Sequence, residues 1–154
     1  MAESDQPSAL KVFRFPSPGG TEHVAPLLSV EARPFYDALK NGSFVLQRCA
    51  ACGQHQIPPA PVCSHCTSEQ LGWAQASGAG VVQSWTVYHR AFLPAFEGLV
   101  PYTVLNVTLR EGPRLIGRLV SPGQVEIGRP VRVVIEEWAD GLRVPAFVLT
   151  ESAS

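Results

Sequence analysis

The sequence predicts a mainly β chain in which a short helix and a compact four-cysteine module precede a five-stranded barrel. Three observations carry that prediction. All four cysteines fall in one stretch, Cys49-Ala-Ala-Cys52 and Cys63-Ser-His-Cys66, with ten residues between the pairs. Five runs rich in Val, Ile, Thr and aromatic residues follow, each set off by Gly, Pro or charged turns. The composition changes between the two at Gly78-Ala79-Gly80. A chain of 154 residues holds one ordinary domain, or a metal module plus a domain near the lower limit of a self-sufficient core. The Pro- and Cys-rich middle favours the second, with an irregular arm over 1–31, the helix and cysteine module over 32–76, and the barrel over 77–150.

In chain order, residues 1–28 hold Pro7, Pro16, Pro18, Gly19, Gly20 and Pro26 without sustained periodicity, which predicts an irregular arm. Val12, Phe13 and Phe15 are its apolar exceptions and could dock on this chain or on a partner. From Ala32 to Lys40 a helix is expected. Pro34 suits its first turn, Phe35 and Leu39 share a face, and Asn41-Gly42 closes it. Phe44 to Gln47 reads as a strand entering the first cysteine turn, and Ile57-Pro58-Pro59-Ala60-Pro61 holds the link between the turns extended. The barrel runs are Val81–His89, Tyr102–Leu109, Leu115–Val120, Val131–Glu137 and Val144–Leu149, with hairpin signals at Glu111-Gly112-Pro113 and Asp140-Gly141. Alternation places Thr103, Leu105, Val107 and Leu109 toward the core, with Tyr102, Val104, Asn106 and Thr108 on the other face.

A CxxC turn aims two sulfurs at one point, and the ten-residue link lets the second turn face the first, so Cys49, Cys52, Cys63 and Cys66 form a tetrahedral metal set. Zinc is the first expectation, and iron accepts the same thiolates. Two disulfides are the competing reading, but Met-Ala-Glu-Ser-Asp-Gln at the start has neither a basic nor an apolar run to direct export. Gly53 follows the first turn where a left-handed backbone is needed, and Thr67 holds the equivalent place in the second. His55 and His65 lie nearby, yet four thiolates already complete the shell.

Charge narrows the partners. Twelve basic and thirteen acidic side chains leave a net charge of −1, and residues 43–72 hold only Arg48 against Glu69. No stripe of cations tracks a phosphate backbone, so nucleic acid is not expected. No apolar run approaches the ~20 residues of a membrane helix, and with reduced thiols this predicts a soluble, cytoplasmic chain.

The helix segment Pro34-Phe-Tyr-x-Ala-Leu39, Gly42-Ser-Phe-Val-Leu-Gln-Arg-Cys49, Cys52-Gly53, Pro58-Pro59 and Cys63-x-x-Cys66 resemble the rubredoxin-like zinc ribbon of the DUF35 OB-fold family. The resemblance continues through Trp85-Thr-Val-Tyr-His-Arg90, Pro101-Tyr102, Leu109-x-Glu-Gly112, Gly117-Arg118-Leu119-Val120, Ile127-Gly128-x-Pro-Val-Arg132 and Pro145-Ala146-Phe147, covering about residues 32–148. Ser64 stands where the family often has proline and Ile57 where it often has an aromatic residue. The resemblance implies an OB-fold barrel and an accessory subunit of a thiolase-fold acyl-CoA enzyme (thiolase, aldolase or acyltransferase), in some cases with a MaoC-type hydratase as well. It implies a hetero-oligomer in lipid degradation whose catalytic groups lie on the partner, and a chain without catalytic residues of its own.

That expectation fits residues which otherwise lack a purpose. The loop Ala91 to Val100 carries Phe92, Leu93, Phe96 and Leu99 where a solvated turn should be polar, so it is expected to meet a partner or border an acyl channel; the competing reading is a plug on the barrel mouth. Tyr88 and Tyr102 could line the same channel, whereas Trp85 is expected to pack in the core. Acyl-CoA is a possible ligand at that interface. Arg90 and Arg118, with Arg110 and Arg114, could meet its phosphates if they converge. His89, at a strand end beside Arg90, reads as structural or interfacial. A nucleic-acid-binding OB domain with a zinc ribbon is the alternative, and the neutral charge argues against it.

Overall fold

The computed structural model describes residues 10–14, 28–138 and 141–151. Most of the expected arm, including Phe15, and Asp140 of the second hairpin signal lie outside the described residues. Helix α1 runs from Arg33 to Lys40 with Pro34 in its first turn, and buries Phe35 and Leu39. Gly42, at φ 77°, turns the chain away from it. Strands β2 (Val45–Cys49), β3 (His55–Gln56) and β4 (Leu71–Gln75) form an antiparallel sheet in the order β3-β2-β4.

The barrel follows as β5 (Ala79–Tyr88), β6 (Tyr102–Leu109), β7 (Arg114–Leu119), β8 (Pro130–Glu137) and β9 (Arg143–Leu149). The order β8-β5-β6-β7-β9 closes through a β8–β9 pairing, and only β7–β9 among these contacts is parallel. Closure removes most of the exposed sheet edge. Gly80 makes the corner possible, since a Cβ there would lie 2.6 Å from Val107 Cγ1 and 2.8 Å from the Thr108 carbonyl oxygen.

Leu105, Val107 and Leu109 are buried as the alternation of β6 requires. They belong to one cluster that also contains Phe35, Leu39, Phe44 and Leu46, so the apolar core is continuous from the helix and small sheet into the barrel. Polar contacts reinforce the joint. Arg143 Nη1 donates to the Lys40 carbonyl at 2.7 Å, satisfying one of the helix's last carbonyls, while its Nε donates to Glu137.

Two expectations are corrected here. The arm is not wholly irregular: Val12–Arg14 forms a strand, β1, parallel to β8, so Val12 and Phe13 lie on the chain's own barrel. Trp85 is not a core residue, being 40% exposed. The cause is topological. β5 pairs with β8 only through Ala79, Gly80 and Val81 and has a register shift between Val82 and Ser84, so its distal half is bonded to β6 alone and lacks a covering strand.

Candidate metal centre and apolar groove

The four cysteines converge. Their sulfurs all lie within 4.8 Å of one another, with Cys49 to Cys66 at 3.6 Å and Cys52 to Cys63 at 3.7 Å. Zinc at its usual ~2.3 Å from sulfur places tetrahedral thiolates about 3.8 Å apart, so the donor set fits. Cys49 comes from the end of β2, and both turns share one backbone form. The Gly53 amide donates to the Cys49 carbonyl and the Thr67 amide to the Cys63 carbonyl. Gly53 at φ 76° and Thr67 at φ 61° then take the same left-handed conformation.

Backbone amides already favour thiolates at two positions. The Cys52 amide, with burial opposing and the Ala51 amide assisting, pulls Cys49 down to about 6. The Cys66 and His65 amides lower Cys63 in the same way. The Gln54 amide acts to lower Cys52, but burial and the adjacent sulfurs prevail and raise it to about 12. A dication removes this conflict by taking all four as thiolates.

Buried amides build the rest of the module. Gln47 Nε2 donates to the Ala60 carbonyl at 3.0 Å, and its Oε1 accepts from the Ala60 amide at 3.0 Å and from Gln56 Nε2 at 2.7 Å. Gln56 Nε2 also donates to the Val62 carbonyl, and its Oε1 accepts from the Ser64 amide. Two side chains thus fasten the proline-rich link and the second cysteine turn to β2.

A groove of about 640 Å³ opens on the barrel face opposite the Leu105–Leu109 core, within the ~300–1,000 Å³ of small-molecule sites. β6 and β7 supply Tyr102, Val104, Ile116 and Arg118, while α1 and the proline link wall the other side with Tyr36 and Ile57 to Pro59. The loops after β5 and β8 add Phe96 and Trp138, which meet edge to face at 5.9 Å. This is the strand face and loop pair that OB folds commonly use for ligands. Tyr88 and Tyr102 stack at 5.0 Å, and Phe96 lies 5.2 Å from Tyr102. Burial raises the Tyr36 hydroxyl pKa, and burial followed by the nearby Tyr88 raises that of Tyr102.

The expected channel residues divide. Tyr88, Tyr102 and Phe96 line the groove. Phe92 is 73% exposed and touches Tyr88 edge to face at the rim, and Leu93 is 39% exposed. Leu99 is half-buried and does not line the groove. The loop is therefore part plug and part open surface, with Pro94–Phe96 forming a single 3₁₀ turn. Arg90 and Arg118 are not brought together as a cation pair. The Arg90 guanidinium sits 6.0 Å from the Phe92 ring centre, whereas Arg118 donates from Nε to Glu136 at 2.9 Å and from Nη2 to the same oxygen.

Sequence reasoning overlooked Tyr36, Glu136 and Trp138. Tyr36 flanks the buried helix face, and Trp138 stands just before a turn as Phe96 does within one; both were readable signals. Glu136 was not readable, because strand alternation assigns it outward and its 2% exposure arises from the groove packing around it.

Two family models match consecutive parts of the chain: the ChsH2 rubredoxin-like zinc ribbon domain over residues 37–72 and the ChsH2 C-terminal OB-fold domain over 73–136. A probable enoyl-CoA hydratase alpha subunit of Thermomonospora curvata is 41% identical over 118 residues, which are 73% of this chain and 35% of that one. The 3-oxo-4,17-pregnadiene-20-carboxyl-CoA hydratase alpha subunit of Mycobacterium tuberculosis is 33% identical over 108 residues, covering 69% and 34%. The chain thus spans about a third of the length of these two relatives. A DUF35 domain-containing scaffold protein of Methanothermobacter thermautotrophicus is 31% identical over 102 residues, covering 62% of this chain and 76% of that one. Among solved structures, a chain of an Ltp2-ChsH2(DUF35) aldolase superposes with a TM-score of 0.73 at 38% identity, over 81% of this chain and 98% of that one.

Proposed function

The chain belongs to the DUF35 family of ChsH2-type zinc-ribbon and OB-fold proteins, and on that premise we propose that it is a zinc-binding accessory subunit of a thiolase-fold acyl-CoA enzyme. Zinc at Cys49, Cys52, Cys63 and Cys66 holds the ribbon in shape. Four thiolates leave no open position for water, so the metal's contribution is structural. The groove and the Phe92 rim border the path of the acyl group, and the partner supplies the reacting groups.

The observation that carries this reading is the groove's chemistry. Its lining is mostly aromatic and aliphatic, with Arg114 and Arg118 as its cations; it contains no Cys, Ser, Thr, Lys or His side chain, and its single carboxylate is paired with Arg118. Such a surface binds and orients an apolar group but offers no nucleophile or free general base. The 38%-identical aldolase structure and the relatives that are hydratase alpha subunits support the same setting. A nucleic-acid reading is disfavoured because the net charge is −1 and Glu136 pairs one of the two arginines on the face where a single strand would need cations.

The test is co-expression of the tagged chain with a thiolase-fold protein from the same organism, followed by elemental analysis. A stable complex with one zinc per chain is expected. Cys49→Ser should lose the metal and, because ligation and folding are coupled, the complex as well. A metal-free wild-type chain, or one that carries iron, would falsify the assignment of zinc; a zinc-loaded chain that never binds the partner overturns the subunit role.

A further inference from the structure

Strand β5 is paired on both sides for only part of its length. Through Val81 it lies between β6 and β8, but from Ser84 to Tyr88 it is bonded to β6 alone. The register shift ends before Ser84, so this stretch is regular strand. Which backbone groups face the open side follows from the alternation of β6. The Leu109 amide donates to the Pro113 carbonyl, on the β7 side, and the Arg110 amide to the Ala79 carbonyl, on the β5 side. Leu105 and Thr103, an even number of residues from Leu109, therefore turn their N–H and C=O toward β7, and their partners Trp85 and Val87 turn theirs away from β6. Among the described residues no strand pairs with that side. The side chains of Trp85 and Val87, on the same sheet face as buried Leu105, are each 40% exposed.

An edge that is to stay free is ordinarily protected by charge or proline. Ser84-Trp85-Thr86-Val87-Tyr88 has neither, and its residues favour strands. The edge also matches itself. A two-fold axis at Thr86 sets Trp85 opposite Val87 of a second copy, and Val87 opposite the copy's Trp85, so the outward N–H and C=O groups meet and each pair exchanges two hydrogen bonds. The same axis joins an aromatic to a β-branched side chain twice, and no two charges face each other, since Arg90 falls opposite Val82. We propose that the Ser84–Tyr88 edge is a homodimer interface, at which two copies of this chain pair antiparallel through β5. The contact is isologous, as a closed dimer requires, and it covers the apolar strip that the chain's own barrel leaves in water. It does not depend on what the groove binds.

Sedimentation equilibrium of the zinc-loaded full chain tests this, and a concentration-dependent dimer is expected. Val87→Pro deletes an N–H that faces the open side and leaves the β6 ladder whole, while Val87→Lys keeps the amide and places a charge on the edge. Because the axis applies each change twice, both should raise the dimer dissociation constant at least about tenfold, with zinc content and far-ultraviolet dichroism as in the parent. Cross-linking reads the register. Thr86→Cys lies opposite itself in a non-hydrogen-bonded pair, with Cα atoms about 4.5 Å apart, and should form a reducible covalent dimer. Ser84→Cys, displaced from its copy by about 14 Å along the strand, should not. A chain that is monomeric at every attainable concentration, a dimer that both Val87 variants leave intact, or equal cross-linking of the two cysteine variants overturns the proposal. A monomeric chain whose binding to the thiolase-fold protein is weakened by Val87→Lys also overturns it, and assigns the edge to that partner instead.

Discussion

Thr67 is the one described non-glycine residue with a positive φ, 61°, and it occupies the place that Gly53 fills in the first cysteine turn. A β-branched side chain is strained there, and the strain is held in place by metal ligation at Cys66 next to it. Thr67→Gly should raise stability by about 0.5–1 kcal/mol, the relief being partly offset by the flexibility of glycine in the unfolded chain. Denaturant midpoints of the zinc-loaded proteins measure it, and a lower midpoint for the variant would mean that the Thr67 Oγ1 contact to the Cys66 carbonyl outweighs the strain. The ligand cysteines were legible in sequence from spacing alone, because a CxxC turn is local chemistry. Glu136 and Trp85 were not legible, because one is buried by a groove built from segments far apart in sequence and the other is uncovered by a strand that turns away.

Among the elements, the helix over 33–40 and the barrel strands appear within one or two residues of where periodicity places them, since each has enough residues to express its repeat. Strand β3 holds only His55 and Gln56, too few to show one, and it exists because Gln56 Nε2 donates a side-chain hydrogen bond to Gln47 Oε1 across the pair. Gln47→Leu should therefore cost about 2–3 kcal/mol by stranding the Ala60 amide and carbonyl, both bonded to Gln47. Thermal melts and resistance of the metal to a chelator report it; a variant as stable as the parent would show that water replaces the amide. The loop between β5 and β6 makes the opposite case, an element whose parts serve different ends. Phe96 is packed on Tyr102 and Trp138, so its loss unsettles the barrel mouth, but exposed Phe92 can be changed cleanly. Phe92→Ser should leave the melting transition within about 0.5 kcal/mol and weaken the partner complex by at least about 1 kcal/mol. Undiminished affinity would remove this rim from the interface.

At the scale of the whole molecule, a single core joins helix, ribbon and barrel, and the groove lies on the seam between them. Zinc binding thereby reaches the groove through structure: the metal fixes the two cysteine turns, the turns fix the proline link, and Ile57 to Pro59 form one wall. No helix among the described residues is long and apolar enough to cross a membrane. Under the proposed function, this chain shapes and stabilises an acyl-CoA site whose chemistry belongs to another protein. That role is tested most directly by measuring turnover of acyl-CoA thioesters by the zinc-loaded chain alone, by the proposed thiolase-fold partner alone and by the two together. Turnover confined to samples that contain the partner, and highest in the complex, is the predicted result; thiolytic or aldol turnover by the isolated chain would contradict it.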